Sequence, residues 1–309
     1  MDFDSNPPLI RIFATIFAGL LGLAFGSFLN VCVSRWPAGE SIVKPGSHCR
    51  NCDHPLASWE NIPLLSWLVL RGRCRKCHAP ISWRYPLVEL AVGGLWAIDT
   101  WKYSFAIQHL DLSRLSLAAI TVALLGPFTF LWLLVALASL DAENLWLPDK
   151  LTLPGILCGV FVAALYRYFF EGSIITPVTF TNFFLSEGMQ SFWRDRLLEI
   201  LAAALLILII RWLYKLIRHR EGLGLGDAKL MALLAAWLGL PCALLSFFLA
   251  AILGSLAALA LLAVPAARRG SQPWATSKLP LGTFLCIGGI VSSLWGQQII
   301  AAYRHWAGF

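Results

Sequence analysis

Runs of about twenty apolar residues, recurring along most of the chain, constrain this sequence more than any other feature. Segments near 10–33, 86–103, 115–138, 151–170, 197–214, 228–240, 243–264 and 280–302 each read as spanning helices. A helix satisfies all its own backbone hydrogen bonds, so it can sit in hydrocarbon where water cannot reach. Composition agrees. Charged residues make up 13% and the mean hydropathy is +0.71, whereas a soluble domain carries about 25% charge. The sequence therefore predicts an all-α polytopic membrane protein with about eight transmembrane helices. The sixth segment is short, and Pro241 marks its end. The first run, Leu9 to Val33, is too long for a signal-peptide core and has no small-residue cleavage site after it, so it reads as a retained span.

Charge sets the orientation. The net charge is +7; in a membrane protein such an excess marks cytoplasmic loops and contact with anionic lipid rather than nucleic acid. In an eight-span arrangement, Arg35, Lys44, Arg50, Arg71, Arg73, Arg75, Lys76 and Arg84 all fall in the 34–85 loop. Lys150, the cluster from Arg211 to Lys229, and Arg268, Arg269 and Lys278 join them on the same side. That side is the cytoplasm by the positive-inside rule. The amino terminus and a moderate insertion at 171–196 then lie outside. The organisation is a first transmembrane helix over 1–33, a cytoplasmic loop over 34–85, and a transmembrane core over 86–309. No internal repeat stands out.

The loop carries Cys49-x-x-Cys52 and, after 21 intervening residues, Cys74-x-x-Cys77. Two such pairs present four thiolates to one ion, the donor set of a closed tetrahedral zinc site. Disulfides fit poorly in a reducing cytoplasm. The c-type haem pattern in Cys74-Arg-Lys-Cys77-His78 would leave the first pair unexplained and lies on the wrong side of the membrane. A redox C-x-x-C would need a thioredoxin-like context that is absent. Four thiolates leave no open position, so the expected role is structural: the metal folds a loop too polar to build its own core. Cys32, Cys158, Cys242 and Cys286 sit singly in apolar runs and read as small buried residues.

Acidic residues are expensive near hydrocarbon, so each one at a span is a functional candidate. Asp141 ends the apolar run Leu131–Leu140, and Asp227 follows Gly222-Leu-Gly224-Leu-Gly226 at the entry to the sixth segment. The topology puts both at the cytoplasmic face, although they are far apart in sequence. Two adjacent carboxylates share a proton, so one activates water while the other hydrogen-bonds a carbonyl. Helix capping or simple solvation of Asp141 is the plainer alternative. Glu143 and Asp149 read as solvated, and Lys229 as a residue that reaches the interface. The alternating glycines lack the context of a phosphate loop and read as places of close backbone approach.

Several stretches resemble one family closely. They are Gly26-Ser-Phe-Leu-Asn-Val31, the double C-x-x-C loop, Glu60-Asn-Ile-Pro-Leu-Leu-Ser66, Arg84-Tyr-Pro-Leu-Val-Glu89, Asp141 with Leu147-Pro-Asp149, Gly224-Leu-Gly-Asp-Ala-Lys-Leu230 and Pro280-Leu-Gly282. In this order the chain is similar to the bacterial type IV prepilin peptidases, bifunctional leader peptidases and N-methyltransferases of type IV pilus and type II secretion systems. The resemblance implies that Asp141 and Asp227 are the catalytic pair of a Gly-x-Gly-Asp aspartic peptidase over 86–309. It implies prepilin or pseudopilin substrates, cleaved after a glycine between a basic leader and an apolar helix. It also implies methylation of the new amino terminus by S-adenosylmethionine, associated with the 34–85 loop, in the inner membrane. Glu60 and Glu89 are the carboxylates expected near that cofactor, with helix-end ion pairs to Arg71 or Arg84 as the alternative. Where many members carry Phe-Gly-Pro before the last span, this chain has Leu281-Gly-Thr283. The 171–196 insertion, rich in aromatics, is longer than usual.

Readings from other classes make different demands. A non-enzymatic adaptor that recruits a partner through the zinc loop would not need either aspartate. A proton-coupled transporter would place its carboxylates near the bilayer midplane.

Overall fold

A computed structural model describes residues 7–107, 117–170, 189–219, 224–263 and 279–308. Most of the insertion expected at 171–196 and of the basic turn at 265–279 lies outside them. Among the described residues the long elements are all helical: α1 (Pro7–Arg35), the short α2 (Leu65–Val69), α3 (Arg84–Ile107), α4 (Leu117–Asn144), α5 (Asp149–Phe170), α6 (Met189–Arg218), α7 (Leu225–Ala263) and α8 (Leu281–Ala307). Six of these, all but α2 and α3, are long and apolar enough to cross a membrane. In α3 the charges Asp99 and Lys102 interrupt the apolar run. Helix α7 is not one straight rod: Gly239 adopts φ 78° and ψ 167°, and Pro241 follows. Proline cannot donate to the preceding turn, and glycine tolerates the left-handed φ, so the break falls where two spans were expected. Counting its two arms separately gives eight long helical segments among the described residues, in keeping with the sequence reading.

The chain divides after Ser139 into two compact units. In the first, α1 packs along α3 at near-backbone distance. A Cβ built on Gly22 would lie 2.8 Å from the Gly93 Cα, and one on Gly26 would lie 2.7 Å from the Glu89 Cα. Small residues at a crossing let membrane helices gain van der Waals contact where the hydrophobic effect offers little. Beside the crossing, buried Asn30 donates through Nδ2 to the Tyr85 carbonyl at 2.9 Å. Trp96 stacks on Phe128 at 4.4 Å and donates through Nε1 to its carbonyl at 3.1 Å.

In the second unit α7 is the central helix, with α5, α6 and α8 packed on it. Its residues from Leu230 to Leu238 are all buried. Trp237 fills the space above Gly159 and donates to the Gly155 carbonyl at 2.9 Å. On α6, Leu197, Leu198, Leu201 and Leu205 stay exposed, as expected for a lipid-facing stripe. Residues 189–196 belong to α6 rather than to a free insertion, and Phe192 is buried. Arg196 and Glu199, both 2% exposed, pair at 3.3 Å, and Arg196 also donates to the Ala235 carbonyl at 3.2 Å. Buried charge of this kind is tolerated only when paired.

Candidate active site and metal centre

The site in the second unit is assembled from helix ends. Helix α4 stops just after Asp141, with Leu145 in a left-handed conformation, and α5 starts again at Asp149. Asp141 is 5% exposed and Asp227, in the first turn of α7, is 8% exposed. Leu147, between α4 and α5, is the spacer. A Cβ on Gly226 would come within 3.1 Å of it, and one on Gly282 would meet Leu147 at 3.0 Å and the Asp141 carboxyl at 2.9 Å. The two glycines thus let the starts of α7 and α8 close on one leucine, with both aspartates at that end. The charges of Asp141 and Asp227 lie close enough to act on each other.

Each aspartate is held by backbone. Asp227 Oδ2 accepts the Gly224 N–H at 3.0 Å, the reach-back of an acidic residue to its helix N-cap. Asp141 Oδ2 accepts two donors from Thr283, its backbone N–H at 2.6 Å and its hydroxyl at 3.1 Å. Nothing in the sequence pointed to Thr283 as a partner; its only signal was the departure from the Phe-Gly-Pro pattern. Asp149, read as solvated, instead pairs with Lys229 across the starts of α5 and α7 at 2.5 Å. Both side chains are partly exposed, so the pair contributes at most about 1 kcal/mol.

The first unit carries the cysteines. The Sγ atoms of Cys49, Cys52, Cys74 and Cys77 all lie within 4.8 Å of one another. Cys49 and Cys77 are 3.7 Å apart, close to the ~3.8 Å edge of a tetrahedron with 2.3 Å zinc–sulfur bonds. The two pairs are built alike. In the first, Cys49 N–H donates to the His54 carbonyl and Asp53 N–H to the Cys49 carbonyl; in the second, Cys74 N–H donates to Ala79 and His78 N–H to Cys74. Asp53 and His78 both take a positive φ, and isolated bridges join His48 to Pro55 and Arg73 to Pro80. Cys49-Arg-Asn-Cys-Asp-His-Pro55 and Cys74-Arg-Lys-Cys-His-Ala-Pro80 are therefore a short internal repeat that the sequence reading passed over. The backbone N–H of Ala79 and the side-chain amide of Asn51 hold the Cys77 thiol down to about 6. At Cys52 the His54 N–H favours the thiolate, but desolvation and the other three thiols push it up to about 12. Such a cluster holds its first negative charge readily and needs a cation to hold the rest.

Glu60 and Glu89 are both buried near this loop. Glu60 Oε2 accepts the Ala57 N–H at 2.8 Å. Glu89 Oε2 accepts the Leu64 N–H at 2.8 Å, clamping a residue whose φ is 58°. A left-handed leucine costs about 1–3 kcal/mol and persists only where its surroundings enforce it.

Comparison with known proteins separates the same two regions. Residues 20–103 match the bacterial peptidase A24 N-terminal domain, and residues 128–259 match the type IV leader peptidase family. A prepilin leader peptidase/N-methyltransferase of Stutzerimonas stutzeri is 32% identical over 99% of this chain and 98% of its own. The chain belongs to the type IV leader peptidase family. Relatives of the same description from Pseudomonas aeruginosa, 32% identical over 100% of this chain and 99% of theirs, and from Dichelobacter nodosus, 36% identical over 92% of each, agree. No solved structure matches. Both aspartates, on either side of the Leu147 spacer, fall within the segment matched by this peptidase family.

Proposed function

We propose that Asp141 and Asp227 are the catalytic dyad with which this membrane enzyme cleaves prepilin or pseudopilin leaders. The observation that carries this is their convergence: two buried carboxylates, 86 positions apart in sequence, at one end of one bundle. One carboxylate takes a proton from water as it attacks the peptide carbonyl. The other, protonated, donates to the carbonyl oxygen and later serves the leaving amine. Incubating the purified protein with a prepilin, with and without S-adenosylmethionine, and weighing the products tests both activities. A leader left intact under all conditions overturns the reading.

The enzyme sits in the inner membrane, with the dyad and the 34–85 loop facing the cytoplasm. This follows from the basic loops and suits a substrate whose positive leader stays inside. In a background free of native cysteines, a cysteine placed at Ser47 should resist labelling from outside the cell, and one at Ser186 should react. The opposite pattern inverts the topology.

Residues 34–85 serve methyl transfer, and 86–309 form the peptidase core. The four cysteines hold a structural zinc ion. S-adenosylmethionine, when bound, supplies an electrophilic methyl group for the new amino terminus. A cavity of about 400 Å³ in the first unit, lined by Ser27, Phe28, Val31, Arg35, Pro45 and Gly46 among others, has the size of a small-molecule site. Arg35 is fixed there by donating to the Ser41 and Gly46 carbonyls at 2.9 and 3.2 Å, placing a cation for a ligand carboxylate. Glu60 precedes Asn61 of the cavity wall, and its Oε1 is buried without a hydrogen-bond partner among the described residues. Glu89 faces Ser27 of the same wall. A Cβ on Gly46 meets nothing within 4 Å. Because Gly46 lines the cavity, a bulky Gly46→Trp side chain should obstruct it and weaken equilibrium binding of labelled S-adenosylmethionine while prepilin cleavage stays near wild type. Unchanged binding would place the cofactor elsewhere.

A further inference from the structure

We infer that Thr283 is a positioning residue for Asp141, fixing which carboxylate oxygen faces the reacting water. This rests on the dyad reading above and extends it to a residue outside the carboxylates. The first N–H groups of a helix have no acceptor within it. Helix α8 begins at Leu281 behind Pro280, which gives no side-chain cap. Asp141 fills that role from α4, accepting the Thr283 N–H at 2.6 Å and the Thr283 hydroxyl at 3.1 Å on the same oxygen, Oδ2. Gly282 makes this approach possible, since any side chain there would press on the Asp141 carboxyl and Leu147. With Oδ2 committed twice, Oδ1 is the oxygen left to handle water.

A proline at 283 would supply neither donor. The carboxylate itself belongs to Asp141, so Thr283 orients the base rather than creating it. Thr283→Val keeps the shape and the N–H but loses the hydroxyl, Thr283→Ser keeps both donors, and Thr283→Pro loses both.

The test measures kcat and KM for prepilin cleavage by each full-length variant, beside Asp141→Asn, with thermal unfolding of the purified protein followed by circular dichroism as the check on folding. Hydrogen bonds to a charged group are strong, so Thr283→Pro should lose about ten- to a hundredfold in kcat. Thr283→Val should lose less, about three- to tenfold, because the shorter of the two bonds survives. KM should not move in either, and Thr283→Ser should restore kcat to within about twofold of wild type. A Thr283→Val enzyme with wild-type kcat, a loss that appears in KM instead, or failure of Thr283→Ser to restore activity would each overturn the inference. If Thr283→Pro fails to fold, as loss of its unfolding transition would reveal, the valine and serine variants decide alone. An Asp141→Asn enzyme that still cleaves would instead remove the dyad reading beneath it.

Discussion

Asp141→Asn and Asp227→Asn should each lower prepilin cleavage by about a hundred- to ten-thousandfold, the usual contribution of a positioned acid or base. The double variant should be no worse than either single one, because residues that act as a unit are strongly non-additive. Asparagine keeps nearly the same volume and keeps an acceptor oxygen. The Gly224 N–H can still bond at 227, and the Thr283 donors can still bond at 141. Folding should survive, and methylation of a pre-cleaved pilin should continue, since the cavity and the cysteines lie in the other unit. Glu143→Gln is the better control, because Asp149 is tied to Lys229 at the same end of the bundle. Near wild-type cleavage by a folded Asp227→Asn enzyme would exclude the mechanism and favour an adaptor role.

The parts of this protein that were legible in its sequence are those fixed by local chemistry. Apolar runs gave the helices, because backbone in hydrocarbon has few alternatives. Pro241 marked the break in α7, although the left-handed residue that makes it is Gly239. The cysteine spacing gave the cluster, because a C-x-x-C turn presents both thiolates from one short segment. What the sequence could not display were pairings between helix ends remote in sequence. Asp149 with Lys229, and Asp141 with Thr283, depend on how α4, α5, α7 and α8 meet around Leu147. Glu60 and Glu89 were expected beside a cofactor or paired with arginines. Beside that expectation, both also take backbone N–H groups, of Ala57 and Leu64, partners that no side-chain pattern encodes. The knuckle repeat was open to view, yet only its shared hydrogen bonds and left-handed residues make four identities in seven aligned positions meaningful.

Replacing Cys49, Cys52, Cys74 or Cys77 by serine should release the metal, loosen residues 34–85 and abolish methylation, while leader cleavage continues. The magnitudes decide this. Structural zinc contributes about 10–16 kcal/mol in small cysteine sites, as much as or more than the roughly 5–15 kcal/mol net stability of a whole domain. Against that, the loop offers little of its own. From 36 to 83 the buried residues are Glu60, Gly72 and Cys74, and each knuckle is otherwise held by one isolated bridge and turn hydrogen bonds. Without the metal, four thiols crowded within 4.8 Å have no attraction to keep them there. The cavity wall formed by Ile42 to Ser47 and by Asn61 and Pro63 belongs to the same loop, so it should be lost with the knuckles. Asp141 and Asp227 sit in the second unit on α4 and α7, whose packing does not draw on the cysteines. Metal content, limited proteolysis of the loop, cleavage of prepilin and methylation of pre-cleaved pilin can all be measured on one preparation kept reduced. A wild-type protein without zinc, or a Cys49→Ser protein that keeps both zinc and methylation, would remove the four-cysteine assignment. Loss of cleavage in parallel with methylation would show instead that the dyad depends on the loop.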